Sequence, residues 1–269
     1  MYTYRLSVEQ RMVERVRRHA DIRDRDKLLI AAVLRERFGL WETPGCRVLD
    51  LGCGKGGMVE YLLSLGYEAY GCDVSLGWDE QPPALRNRLD LIPESPYRLP
   101  YEDERFDVVF TTAVLEHARN TEEVHREIYR VLKPGGVSVH YFPAKWYLPY
   151  EPHIRIPLLN WFWPHCPKGW ISFWLWLRVL YIPRLGPDRK NILDRYCEFC
   201  SQDVIYLSNR AHRHIALRVF GNHHSLMEFY VARAEGGYAR LARRLPFRWL
   251  TAWFGGNFRM NLVYQQKSD

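Results

Sequence analysis

A run of six residues that includes four glycines, Gly52-Cys-Gly-Lys-Gly-Gly57, constrains the fold of this chain more than any other feature. The apolar stretch before it, residues 46–51, is typical of a short buried strand, and residues 58–65 have the spacing of an amphipathic helix. Glycines in such a turn let the backbone approach a ligand, and the following helix begins with unpaired N–H groups. The sequence therefore predicts a strand–turn–helix unit that binds a nucleotide-like group.

The rest of the first half alternates between strand and helix patterns. Further strands are predicted at 67–72, 88–92, 106–111 and 137–142, and further helices at 7–19, 24–38 and 121–132, the last capped by Thr121. Strands that alternate with helices form a parallel sheet. We therefore expect an α/β fold with a doubly wound, Rossmann-like, mostly parallel sheet and helices on both faces.

After residue 142 the alternation stops, and an aromatic helical insert is predicted after the fifth strand. We expect three units: N-terminal helices with the Rossmann-like core (1–142), the insert (143–210) and a closing segment (211–269). The closing segment is predicted to hold strands at 214–220 and 260–265, with a basic amphipathic helix at 238–245 between them.

Charge and aromatic residues are distributed unevenly along the 269 residues. The net charge of +7 arises from −2 in residues 1–145 and +9 in residues 146–269, and the second part holds eight of the ten tryptophans. A basic, aromatic half favours an anionic or amphipathic partner, while a tryptophan-rich core under a solvated basic face is the alternative.

Cysteine usage and the apolar runs bear on the compartment. The longest apolar run, residues 171–182, is interrupted by Arg178 and is too short to span a membrane, and the N-terminus lacks a secretory signal, so a cytoplasmic protein is expected. Reduced, buried thiols are expected at Cys46, Cys53 and Cys72. Cys197 and Cys200 form a lone CxxC and are predicted to be two helical-surface cysteines rather than metal ligands.

An acidic residue follows the second predicted strand. Asp73 lies 21 residues after Gly52, where a carboxylate can accept hydrogen bonds from both hydroxyls of a ribose. These two features alone fit any nucleotide-like cofactor, including a nicotinamide dinucleotide.

Four motifs occur in a fixed order along the first half. They are Val48-Leu-Asp-Leu-Gly-Cys-Gly54, Leu99-Pro-Tyr-Glu-Asp-Glu-Arg-Phe-Asp107, Val114-Leu-Glu-His117 and Val131-Leu-Lys-Pro-Gly-Gly136. Together they resemble the class I S-adenosylmethionine (SAM)-dependent methyltransferases, in the branch that includes ubiquinone- and menaquinone-biosynthesis enzymes. The resemblance covers roughly residues 45–142. It implies a SAM-dependent methyltransferase with SAM as its cofactor.

The same resemblance assigns roles at the cofactor site. Asp50 would fix the turn and approach the methionine amino group, Asp73 would hold the ribose hydroxyls, and Val74 would contact the adenine. The methionine and ribose would be lined by Gly52, Cys53, Gly54 and Gly56, with Thr111 and Thr112 beside the methionine.

The chain departs from the family at Ser95-Pro96. Relatives usually have an aspartate there that accepts from the adenine amino group, followed by a backbone N–H that donates to the ring. Ser95 is a weaker acceptor and Pro96 has no N–H, so adenine recognition is expected to be altered at these two residues.

Candidate catalytic residues follow the fourth strand and open the insert. Glu116 and His117 come just after that strand, so His117 is a candidate general base, with a packing role as the alternative. Glu151 and His153 could orient or deprotonate an acceptor, or could pin the insert to the core. Some relatives bind a divalent metal through Glu-x-x-Glu-His. Ala113 replaces the first glutamate here, so no metal is predicted.

The acceptor is predicted to be small and hydrophobic or lipid-linked, with O- or N-methylation by in-line displacement. The tryptophans of the insert could form a lid, whereas Arg240, Arg243, Arg244 and Arg248 with their apolar neighbours could contact a membrane. The membrane alternative would place the protein peripherally at the inner membrane face. A nucleic-acid substrate is not expected, since the motifs for base methylation are missing. RNA methylation and a non-catalytic binding protein on the same scaffold remain the alternatives.

Overall fold

The glycine-rich run joins the central region of a seven-stranded sheet to a helix. The structure is a computed structural model that describes residues 22–39, 45–75, 85, 87–94, 97–153, 155–177 and 192–269. Its strands are β1 (Arg47–Leu51), β2 (Glu68–Asp73), β3 (Leu89–Leu91), β4 (Phe106–Thr112), β5 (Leu132–Pro143), β6 (His224–Ser225) and β7 (Met260–Gln266). The predicted strands at 67–72, 88–92, 106–111, 137–142 and 260–265 all lie within or around these elements.

The strand order is β3-β2-β1-β4-β5-β7-β6. The pairs from β3 to β5 are parallel, and β7 runs antiparallel to both β5 and β6. Because β1, β2 and β4 are parallel, their carboxyl ends lie at one edge of the sheet, where open α/β sheets bind ligands. The predicted doubly wound, mostly parallel sheet is confirmed, with an antiparallel end formed by β6 and β7.

Helices cover both faces of the sheet. They are α1 (Ile22–Ala32), α2 (Gly57–Ser64), α3 (Thr121–Val131), α4 (Lys168–Trp176), α5 (Ile192–Glu198), α6 (Asn209–Phe220), α7 (Met227–Arg233), α8 (Gly237–Ala242) and α9 (Arg248–Phe258). One face packs against α1, α2, α7, α8 and α9, and the other against α3 and α6. Neighbouring β1 residues Val48 and Leu49 point into the two opposite cores, as the pleat requires.

Three local predictions were wrong. Residues 214–220 belong to helix α6 rather than to a strand, because the buried residues His212, Ala216 and Phe220 recur every four positions. Asn120, not Thr121, caps α3, with its side chain accepting from the Glu123 N–H. The helix predicted over 238–245 ends at Ala242, and a second helix, α9, follows Pro246.

The insert has a small core of its own. Its elements are a 3₁₀ turn (Leu159–Phe162), α4, α5 and a π-helical turn (Phe199–Asp203), which pack around Ile156, Ile171 and Tyr196. A disulfide joins Cys166 to Cys197, and Cys200 is buried, so the prediction of two helical-surface cysteines was wrong. Cys46, Cys53 and Cys72 are free and buried, as predicted. The core explains the error at Cys200, because its position on the turn faces Tyr196 rather than solvent.

The predicted helix at 7–19 lies outside the described residues, and the one at 24–38 corresponds to α1 with its π-helical extension Val33–Arg37. Among the described helices, none has the length and apolar character needed to cross a membrane.

Four histidines lie close enough on the α3–α6 side of the sheet to lower one another's pKa: His125, His140, His212 and His223. The His125 and His140 rings lie 5.1 Å apart, and the His212 ring lies 4.4 Å from that of Phe142. Burial, reinforced by neighbouring histidines and, at His223, by Arg213, lowers the pKa of His212 to about 3 and that of His223 to about 4. The folded chain therefore holds these rings in their neutral form.

This burial predicts acid sensitivity. Below pH 6.5 the unfolded chain binds protons that the folded chain does not, so the free energy of unfolding decreases as the pH falls. We expect His212 to account for about 2 kcal/mol of the loss between roughly pH 7 and pH 5, and His212→Phe to abolish that part. Urea denaturation at both pH values measures it. His214→Phe, at an exposed position of the same helix, should leave the loss unchanged, and an equal loss in wild type and His212→Phe would contradict the prediction.

Candidate active site

The turn after β1 has a backbone that only glycine adopts without strain at several positions. Gly52, Gly54 and Gly56 all have φ in the left-handed region, at 83°, 53° and 74°. A Cβ at Gly52 would come within 2.1 Å of Val114 Cγ2, so the turn and the segment after β4 touch directly. The missing side chain at Gly52 therefore sets how closely the loops after β1 and β4 approach each other.

Two carboxylates flank this turn. Asp73, at the end of β2, accepts from the Gly54 N–H at 2.7 Å and from the Ser75 N–H at 3.0 Å, one bond on each oxygen. Each oxygen keeps a lone pair for a ligand. Asp50 is buried in β1, and its burial together with the charge of Asp73 raises its pKa to about 8, against the opposing charge of Lys27. A cation beside this pair would stabilise the ionised form of Asp50.

A cavity of about 320 Å³ opens at the carboxyl ends of β1, β2, β3 and β4. Of the residues predicted to bind the cofactor or to act in catalysis, Gly52, Asp73, Val74 and His117 line it. The cavity thus extends from the glycine-rich turn to the first candidate catalytic residue.

Several predicted cofactor residues lie beside this cavity without lining it. Thr111 is fully buried, and its Oγ1 is 2.9 Å from His140 Nδ1, so its side chain points to the α3 face of the sheet. Thr112 follows it as the half-buried last residue of β4. Cys53 is buried against Gly71, with its Sγ 2.8 Å from where a Cβ of Gly71 would lie. Ser95 and Pro96 lie outside the described residues.

The cavity also has walls that the sequence motifs did not indicate. Val114 faces Gly52, Tyr97 lines the side near β3, and Gln202 and Asp203 reach the cavity from the end of the insert. The apolar Val114 could have been inferred from the glycine it touches. Gln202 and Asp203 lie more than 70 residues after the other residues that line the cavity, and no local sequence pattern marks them.

A polar cluster of the four predicted catalytic residues lies next to the cavity. Glu116 is 2% exposed, and neither of its carboxylate oxygens has a hydrogen-bond partner among the described residues. Burial raises its pKa to about 7. A carboxyl group with such a pKa exchanges its proton close to neutrality.

His117 is held by the insert. Its Nδ1 is 2.6 Å from the carbonyl oxygen of Asp203, which can only accept, so Nδ1 bears the proton and donates. Nε2 of the neutral ring is then the nitrogen with a free lone pair. The protein covers part of the ring and removes water that would stabilise its protonated form. This lowers the pKa of His117, so the ring is neutral at neutral pH.

His153 is fixed in the same way by buried groups of the insert. Its Nδ1 lies 2.6 Å from Glu151 Oε1 and 3.0 Å from the Tyr206 hydroxyl, and its backbone N–H donates to Glu151 Oε2 at 2.8 Å. Tyr206 also donates its hydroxyl proton to Glu151 Oε1. The Glu151 carboxylate, 1% exposed, therefore orients the ring of His153.

The two histidine rings meet edge to face with centroids 5.0 Å apart. Glu116, His117 and His153 each place one potential ligand atom within 4.8 Å of the others. Such a cluster can accept and pass on a proton, and its atoms are also of the kind that bind a divalent cation. The predicted absence of a metal rested on Ala113 alone and stays a prediction.

The fold and this site agree with comparisons to known proteins. The sequence profile of one family, described as a methyltransferase domain, matches residues 49–140. This stretch contains the glycine-rich turn, Asp73, and the candidate residues Glu116 and His117. Residues 49–140 are therefore similar to a methyltransferase domain.

Known methyltransferases are similar to part of this chain. A sterol 24-C-methyltransferase of Schizosaccharomyces pombe is 37% identical over 112 residues, 38% of this chain and 28% of that protein. A demethylmenaquinone methyltransferase of Streptomyces griseus is 33% identical over 93 residues, 35% of this chain and 40% of that protein. The matches thus span well under half of each relative and of this chain.

A solved structure is similar over a larger part of the chain. The crystal structure of a SAM-dependent methyltransferase from Mesorhizobium loti has a TM-score of 0.51, at 17% identity, and the match covers 89% of this chain and 100% of that one. At this identity the likeness supports the fold.

The contact between Gly52 and Val114 predicts a sensitive position. Gly52→Ala strains a left-handed backbone and displaces Val114, so we expect SAM affinity to fall on the order of tenfold or more, as a shift in positioning would produce. Isothermal titration calorimetry measures it. Gly66→Ala is the matched control, since Gly66 has φ of 90° but nothing within 4 Å of its Cβ position. Unchanged affinity in Gly52→Ala would refute this placement of the cofactor.

Proposed function

We propose that this protein is a SAM-dependent methyltransferase that acts on a small, hydrophobic or lipid-linked acceptor. The observation that carries the proposal is one cavity with two chemically different ends. One end has Gly52 of the glycine-rich turn and Asp73, with Asp50 buried behind them, and the other has His117 with its neighbouring cluster. A methyl donor at the first end and an acceptor at the second would meet inside the cavity.

The residues at the first end fit SAM. A buried carboxylate such as Asp50, destabilised in its ionised form by burial and by Asp73, is stabilised by a cation. SAM has a sulfonium and an ammonium group, and it supplies an activated methyl group. Asp73 would accept from the ribose hydroxyls with its remaining lone pairs, and Val74, 40% exposed in the cavity, would contact the adenine.

The residues at the second end can prepare the acceptor. His117 Nε2 would take the proton from a hydroxyl or amine of the acceptor while Asp203 holds the ring by its other nitrogen. His153, oriented by Glu151, would place its ring beside His117. Glu116, with a pKa near 7, would then share the proton. This assignment makes His117 the base, and the alternative role of Glu151 and His153 is to pin the insert to the core.

The class of acceptor follows from the insert and from the relatives. Trp163 and Trp170 hold the insert together by donating their indole N–H groups to the carbonyls of Val204 and Pro157, also in the insert, at 2.9 and 2.7 Å. Such anchoring supports an aromatic lid beside the cavity. Relatives named for sterol and demethylmenaquinone methylation support an apolar acceptor.

Transfer of a labelled methyl group tests the proposal. The protein is incubated with methyl-labelled SAM and an extract of its source cells, which is then separated into lipid and aqueous fractions. We expect label in the lipid fraction. Label confined to aqueous compounds would contradict the lipid-linked acceptor, and no transfer in either fraction would contradict the enzyme itself.

The variant Asp73→Ala tests whether methyl transfer depends on the proposed position of the cofactor. Loss of its charged hydrogen bonds should lower SAM affinity about tenfold or more, and transfer at limiting SAM should fall with it. Asp103→Ala, which removes an exposed carboxylate near α3, serves as the control. Equal affinity in Asp73→Ala and wild type would contradict the assigned position.

A separate prediction concerns the base. His117→Gln should lower kcat about 100-fold or more and leave SAM affinity unchanged, since general-base catalysis contributes on that scale. Wild-type turnover should fall at a lower pH than an unperturbed histidine would give, because burial lowers the pKa of His117 and protonation removes its lone pair. Rate profiles against pH measure both effects.

His214→Gln, an exposed histidine on α6, is the control for this variant. EDTA is expected to leave wild-type turnover intact, in keeping with the predicted absence of a metal. Normal kcat in His117→Gln would remove His117 from the mechanism.

A further inference from the structure

The C-terminal helices expose an unusual set of large apolar side chains. Seven of them, 38–67% exposed, fall between residues 241 and 254: Leu241, Leu245, Phe247, Trp249, Leu250, Trp253 and Phe254. We call this surface the α9 face. Water contacts between about a third and two thirds of each of these residues, at a cost that burial against a partner would relieve.

The opposite side of α9 is tightly packed, and this packing fixes which side chains of the helix are exposed. Thr251, Ala252, Gly255 and Gly256 are buried, and a Cβ at Gly255 would lie 2.9 Å from both Met227 Cε and Tyr238 Cε1. The helix therefore cannot rotate to bury Trp249 or Trp253 without losing this contact. The α9 face is a fixed surface rather than a loosely held one.

The same segment is strongly basic. Residues 236–268 contain five arginines and one lysine but no aspartate or glutamate. Arg240, Arg244 and Arg248 are exposed, and none has an ion-pair partner in the part of the chain that the structure describes. Arg243 instead caps the end of α7 by donating to the carbonyls of Val231 and Ala234. Three arginines thus surround the apolar side chains and remain available to an anionic partner.

A cavity continues inward from the α9 face. It has a volume of about 770 Å³ and lies between α6 and α9, with Trp249 and Trp253 on one side and Arg210 and Arg213 on the other. His212 lines it with a buried Nδ1 that has no partner among the described residues, and Glu228 is the one acidic residue in its lining. The arginines of this recess could contact a phosphate group that enters past the tryptophans.

We propose that the α9 face docks the protein on an anionic lipid surface, with a headgroup phosphate entering the recess. Tryptophan, phenylalanine and leucine beside unpaired arginines are the composition of a surface that lies in a membrane interface. A second copy of this face fits less well, because residues 236–268 contain no aspartate or glutamate that could meet its arginines, and like charges would repel. Docking does not depend on methyl transfer, so it can be measured without SAM.

Vesicle co-sedimentation tests this surface. Wild-type protein is expected to bind vesicles of phosphatidylcholine with about one third phosphatidylglycerol and to bind pure phosphatidylcholine far more weakly. The triple variant Arg240→Gln/Arg244→Gln/Arg248→Gln should lose on the order of 100-fold in partitioning, as three surface charges would contribute. Trp249→Ser/Trp253→Ser should also lose binding, including at high salt, where charge contributes little.

A matched control separates local from net charge. Arg47→Gln/Arg126→Gln/Arg218→Gln removes three surface arginines that lie in ion pairs elsewhere, with the same change in net charge. It should bind as wild type does. Circular dichroism checks that each variant is folded, which the exposure of the substituted side chains favours.

The outcomes decide the proposal. Equal binding of the wild type and the triple arginine variant, or no wild-type binding to the anionic vesicles, overturns docking on lipid. If the wild type instead self-associates in sedimentation velocity and Trp249→Ser/Trp253→Ser does not, the face is a protein interface and the proposal also fails. Arg210→Gln/Arg213→Gln should weaken binding about tenfold, and unchanged binding in that variant overturns the headgroup recess alone.

Discussion

The close contact between Gly52 and Val114 determines where chemistry can occur in this protein. It brings the loop after β1 against the loop after β4, and a side chain at Gly52 would separate them. Because β1, β2 and β4 are parallel, the same edge also receives Asp50, Asp73 and the Glu116–His117 pair. The position of the cavity thus depends on one missing side chain and on the direction of three strands.

The insert completes the site from a distance in the sequence. The Asp203 carbonyl holds His117, the backbone of Ile205 donates to the Glu116 carbonyl at 2.6 Å, and Tyr206 donates to Glu151. These three contacts come from residues 203–206, the last residue of the π-helical turn and the three that follow it. His117 is therefore oriented directly by a distant part of the chain, whereas His153 is oriented by its neighbour Glu151, which Tyr206 holds.

In the proposed function, acidic and basic residues lie in different parts of the protein and serve different partners. Four acidic residues and one arginine line the cavity, which suits a cationic cofactor, whereas the C-terminal half is basic and suits an anionic surface. The +9 of residues 146–269 is concentrated where apolar side chains are exposed, around α9. The two partners would thus be attracted to different sides of the protein by opposite fields.

The sequence by itself determined the parallel sheet, the glycine-rich turn and the four candidate catalytic residues, because strand periodicity, glycine positions and residues just after a strand are local features. It misassigned 214–220, where a four-residue spacing was taken for a strand, and it missed the Cys166–Cys197 disulfide. Only the tertiary structure decided that Asp203 orients His117 and that α9 turns its tryptophans to solvent. Both depend on packing between segments far apart in the chain, for which no local pattern exists.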